Sequence, residues 1–177
     1  MLWVVIGGVV VVVAAGAMAR RAATLPRAHV VRVRGRFPTA PPLEVYAALR
    51  DVVGAQAWRT GLRKVEILSH EGEPLRWRET GKGGAVTYVR EESVMPSRLV
   101  YRVDDARVPY SGRWILEVRP EGKEGSVLEI TEEGEVRSAF FGLMVHYVFG
   151  YYRTMEQYLR DLGQYLDEPV EPERVPI

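Results

Sequence analysis

The chain has no cysteine, which excludes a disulfide framework, cysteine-based zinc sites and a cysteine nucleophile. Its three histidines, His29, His70 and His146, lie far apart, so no zinc-finger spacing can be drawn through them. Asparagine is absent and lysine is scarce beside arginine, a bias that fits a GC-rich genome. The formal net charge is only +1, with no excess of either sign to mark a nucleic-acid partner. Thr80-Gly81-Lys82-Gly83-Gly84 falls short of a complete phosphate-loop pattern and joins two predicted strands. No dinucleotide fingerprint, Ser-His-Asp signature or metal-ligand cluster occurs, so neither a metal nor a cofactor is expected. No internal repeat is visible.

What is present begins with one long apolar run. Leu2 to Ala19 is uncharged throughout, and as a helix it would span roughly 27 Å, close to the hydrocarbon thickness of a bilayer. Arg20, Arg21 and Arg27 follow it and no charge precedes it. The positive-inside bias therefore reads residues 1–21 as a single-pass anchor in the cell membrane, with the rest of the chain in the cytoplasm. Ala17-Met18-Ala19 imitates a signal-peptide cleavage site, which would instead mean export, but the basic n-region of a signal peptide is missing.

Residues 22–28 read as a linker. From His29 to Phe37 the pattern alternates, with Val31, Val33, Gly35 and Phe37 on one face and Arg32, Arg34 and Arg36 on the other, as in a half-buried strand. Pro41 and Pro42 then open a segment of helical period carrying Val45, Leu49 and Val52, and a second short helix is expected between Gly54 and Gly61. Six further strands are predicted near 62–69, 74–80, 85–94, 98–104, 112–119 and 126–136, each bounded by Gly, Pro or Asp-rich turns. Taking Gly81 to Gly84 as a hairpin turn pairs Trp77 with Tyr88 and Glu79 with Val86. Phe141, Val145, Val148, Tyr152, Met155, Leu159, Leu162 and Leu166 form one apolar stripe, predicting a long helix over about 138–166. Residues 167–177 are rich in proline and glutamate and read as a disordered tail.

The order is strand, two short helices, six strands, long helix. Several segments, among them Pro42-Leu43-Glu44-Val45, Asp51 to Trp58, Gly112-Arg113-Trp114 and Thr131-Glu132-Glu133-Gly134, resemble small bacterial members of the SRPBCC superfamily, the START-like, polyketide cyclase and lipid-transfer group. The likeness runs in order through residues 29–166. It implies an α+β helix-grip fold: a seven-stranded curved antiparallel sheet with two short helices and a long C-terminal helix across its concave face. It also implies that the first strand lies beside the last. The superfamily includes binders, carriers, cyclases and hydrolases, so this fold does not fix the function.

Alternation assigns an inner face to that sheet: Trp77, Glu79, Tyr88, Arg90, Tyr101, Trp114 and Glu132, opposed by Met144, Tyr147 and Tyr151 from the last helix. Aromatic rings with a few polar tips suit an apolar ligand carrying some oxygens, although the same residues could simply fill a core. Alternation also sorts the acidic run at 132–135. Leu128 and Ile130 point inward with Glu132, while Glu129 and Glu133 point outward, where the arginines of the first strand can pair with them.

The leading expectation is a membrane-tethered binding or carrier module for a hydrophobic small molecule such as a lipid, an isoprenoid quinone or a polyketide-like compound, attached through residues 2–19. Two alternatives stay open. One is a cyclase- or hydrolase-type enzyme using Glu132 and Glu79; the other is an interaction domain without a ligand.

Overall fold

The computed structural model describes residues 26–146 and 150–177. The expected anchor at residues 1–21 and most of the expected linker fall outside the described residues. Among those described, no helix is long and apolar enough to cross a membrane.

Strand β1, Ala28–Phe37, buries Val31, Val33 and Phe37 and turns its arginines to the opposite face, as its alternation requires. Helix α1, Pro42–Arg50, follows, with proline in its first turn and Val45, Tyr46 and Leu49 buried. The Gly54 amide donates to Asp51 Oδ1 at 2.8 Å, folding the chain into a short 3-10 turn, Gly54–Ala57. Trp58 then packs edge-on to Tyr158 with ring centroids 5.1 Å apart and stacks on Tyr165 at 6.0 Å. The segment from Asp51 to Trp58 thus fastens the short helical layer to the end of the chain.

A meander comes next: β2 Leu62–Ile67, β3 Arg76–Gly81, β4 Gly84–Val94, β5 Arg98–Val103, β6 Tyr110–Glu121 and β7 Gly125–Val136. The hairpin register places Trp77 opposite Tyr88 and Glu79 opposite Val86, as the turn residues predict. β1 lies antiparallel to β7, and the sheet order is β2-β3-β4-β5-β6-β7-β1-β8.

Two expectations are corrected here. The sheet has eight strands rather than seven, because the tail is ordered: β8, Glu173–Val175, pairs with β1 at Arg32–Arg34. Composition marked this segment as disordered, but Val170 is buried in the core, Arg174 Nε donates to Glu156 at 2.7 Å, and Glu168 accepts from the Thr39 amide. One buried valine and an open strand edge suffice to hold a short polar segment.

The expected 138–166 helix is divided into α2, Ala139–Met144, and α3, Arg153–Tyr165. Between the two, Gly150 adopts φ +71°, a left-handed conformation that glycine takes without steric cost, and donates its amide to the Val145 carbonyl at 2.8 Å. The apolar stripe keeps its spacing across the break, so periodicity alone reads through it.

The architecture is an α+β helix grip with one antiparallel sheet. Its core joins α1 and α3 to the concave face through Val33, Val45, Leu49, Leu99, Leu116, Leu128, Ile130, Met155, Leu159 and Leu162. These residues fill one end of the space between sheet and α3. The other end remains open.

Candidate functional site

That open end is a cavity of about 330 Å³ between the sheet, α1, α2 and the start of α3. It falls within the range of small-molecule sites, roughly 300–1,000 Å³. Trp77, Tyr88, Tyr101, Trp114, Tyr110, Phe141, Tyr151 and Tyr158 give it aromatic walls, and two inward carboxylates, Glu79 and Glu132, interrupt them.

The walls follow from the sheet. Trp77 and Tyr88, paired across β3 and β4, stack with centroids 5.6 Å apart, and Tyr101 from β5 meets the Trp77 ring edge-on at 5.1 Å. Trp114 from β6 stands edge-on to Tyr158 at 5.6 Å, and Tyr110 stacks on Phe141 of α2 at 5.4 Å. The Tyr101 hydroxyl donates to the Leu49 carbonyl at 2.7 Å. Burial pushes the Tyr101 phenol up to about 12. Burial likewise raises Tyr88 and Tyr158 far above the ordinary phenol value, and in both the charge of Glu79 adds to it. Tyr110 is raised by burial and then by the Glu132 charge.

Each carboxylate belongs to a small polar unit. In the first, Trp77 Nε1 donates to Glu79 Oε1 at 3.1 Å and Arg59 donates to the same oxygen at 2.6 Å. The Arg59 guanidinium also lies 5.2 Å from the Tyr158 ring centre. Burial works against the arginine's charge, but Glu79, with smaller contributions from Tyr158 and Tyr88, leaves its pKa above the usual value.

In the second unit Trp114, opposite Glu132 in the β6–β7 ladder, donates from Nε1 to Glu132 Oε2 at 3.0 Å. His29 Nε2 lies 3.2 Å from Oε1. Toward an ionised carboxylate, which only accepts, such a contact takes an N–H on Nε2. Tyr151 packs on the imidazole at 4.3 Å. Room for the ring comes from Gly134, where a Cβ would run into the imidazole. Gly134 sits opposite Gly112, so the Gly112-Arg113-Trp114 and Thr131–Gly134 segments are two halves of one cross-strand feature. Two neighbouring acids point away: Glu129 accepts from Arg34 at 2.6 Å and Glu133 from Arg113 at 2.7 Å.

Of the ten residues assigned to the inner face, Trp77, Glu79, Tyr88, Tyr101, Trp114, Glu132 and Tyr151 line the cavity. Arg90 does not. It lies 5.8 Å from the Tyr101 ring centre and donates to the Arg50 carbonyl at 2.7 Å, so the last turn of α1, whose carbonyls attract a cation, takes it out of the cavity. Met144, at the end of α2, is half-buried outside the lining, the face of α2 that meets the cavity being that of Phe141 and Val145. Tyr147 lies outside the described residues. Sequence reasoning missed His29, Arg59, Tyr110 and Tyr158. His29 shares the parity of Val31 and Val33, and Tyr158 stands three residues after Met155, so both carried a signal; Arg59, in a loop, carried none. No group of residues suited to a metal ion occurs among the described residues.

Residues 28–166 match a family model described as polyketide cyclase / dehydrase and lipid transport. The fold is similar to the Zhui aromatase/cyclase of a Streptomyces species, with a TM-score of 0.66 at 17% identity over 79% of this chain and 94% of that one. It is similar to a Thermus thermophilus protein, with a TM-score of 0.62 at 24% identity over 77% and 95% of the two chains. A START superfamily protein of Mycobacterium smegmatis gives 0.62 at 13% identity over 78% and 97%. No curated protein matches the chain.

Proposed function

The chain belongs to the polyketide cyclase / dehydrase and lipid transport family of the SRPBCC superfamily, and from that premise we propose that it binds or carries a hydrophobic small molecule between its sheet and α3, tethered to the cell membrane through residues 2–19 with the domain in the cytoplasm. One observation carries the reading: the cavity of about 330 Å³ with aromatic walls. A protein that needed these residues only as core would close that space, since interiors pack to the density of organic crystals. Anchoring would hold the cavity beside the bilayer in which lipids, isoprenoid quinones and similar compounds dissolve.

Solvent extraction of the purified full chain followed by mass spectrometry tests this. A stoichiometric apolar compound is expected in the extract. An extract matching that of a mock purification, together with no uptake from an added lipid and quinone panel, would end the proposal.

A second reading, an acid–base enzyme of cyclase or hydrolase type, draws support from His29 beside Glu132. Such a pair can hold and pass a proton within the cavity. Glu79 is a poorer candidate for that role, because Arg59 and Trp77 both contact its Oε1. Under this reading Glu132→Gln abolishes turnover of an identified substrate while leaving the fold intact.

A further inference from the structure

The two polar units in the cavity are built alike and completed differently. In each, an indole N–H donates to one oxygen of an inward carboxylate: Trp77 to Glu79 and Trp114 to Glu132. The first is completed by a permanent cation, since Arg59 lies 2.6 Å from Glu79 and faces the Tyr158 ring. The second has no such cation among the described residues. Its remaining partner is His29, charged only when protonated. A doubly protonated ring would also bury an N–H at Nδ1, which has no hydrogen-bond partner among the described residues. Arg113, also on the lining, is committed to Glu133.

A carboxylate facing an apolar cavity is costly unless a positive charge or several donors meet it. We propose that Glu132 is the seat for a positively charged group on the ligand, an amine or ammonium carried on an apolar or aromatic body. That group would stand to Glu132 and Trp114 as Arg59 stands to Glu79 and Trp77. The inference rests on the cavity reading above and adds the ligand's charge to it.

Tryptamine and tryptophol test it, because they share an indole frame and differ in ammonium against hydroxyl. Both are titrated calorimetrically into the full chain in micelles of a non-ionic maltoside detergent, with empty micelles as the blank. Tryptamine is expected to bind about tenfold more tightly than tryptophol. Glu132→Gln should erase that preference while tryptophol binding persists. Glu66→Gln, which removes an exposed carboxylate outside the cavity, should keep it.

Equal binding of the two compounds, or binding of neither, would overturn the charge assignment; the cavity reading falls only with the extraction and uptake experiment above. A preference that survives Glu132→Gln, or vanishes in Glu66→Gln with the fold retained by circular dichroism, would place the selectivity elsewhere and also refute the assignment.

Discussion

Glu129 and Glu132 lie three residues apart on one strand and meet opposite surroundings. Glu129 is buried against Arg34 on the convex face, while Glu132 projects into the cavity between Trp114 and His29. Removing Glu129 strands a half-buried guanidinium, so Glu129→Ala is expected to lower the unfolding free energy by about 1–3 kcal/mol. Glu133→Ala, which breaks an exposed pair with Arg113, should leave the urea midpoint unchanged; equal losses in the two variants would contradict the burial argument. Gly134→Ala tests the packing of His29. The new methyl meets the imidazole, so the ring must leave Glu132 and stability should fall by about 1–3 kcal/mol in the same urea titration. Alternation was enough to separate Glu132 from its acidic neighbours, since period two assigns each residue a face. It could not show that Arg59 completes Glu79, because a loop side chain has no period and is placed by the fold alone.

At the scale of elements, strand order and hairpin register were legible because the turn residues and large cross-strand pairs specify them. The helix break and the eighth strand were not. Gly150 leaves the apolar stripe intact while its φ of +71° ends the helical path, and that angle is invisible to periodicity. Gly150→Ala is expected to cost about 1 kcal/mol by forcing a side chain into the left-handed region, measured by thermal unfolding; a stabilised variant would mean the helix prefers to run through. The tail is held by contacts that composition does not encode: Val170 in the core, the β1 edge, and Arg174 against Glu156 and 4.6 Å from the Tyr152 ring centre. Truncation after Leu166 should therefore destabilise the domain by about 2 kcal/mol, mostly through Val170. An unchanged midpoint would return the segment to the disorder its composition suggests.

For the molecule as a whole, the cavity's burial is written into its phenols. Tyr88, Tyr101 and Tyr158 ionise above the ordinary phenol value when folded, so between about pH 10 and those raised values the unfolded chain loses protons that the folded one keeps. Their contribution to stability is complete below about pH 10 and is lost as pH rises through the folded values. Tyrosinate absorbance should thus show these three phenols titrating only with unfolding. Early titration of all nine tyrosines in a folded chain would contradict the burial assigned to them. The central claim is that the space above the sheet holds an apolar molecule, and native mass spectrometry of the full chain released from nanodiscs tests it most directly, with Val103→Trp as a cavity-filling comparison. The account predicts a discrete small-molecule adduct on the native chain that is lost in Val103→Trp. A bare native mass before and after incubation with lipids and quinones, or an adduct equally present in the filled variant, would contradict it.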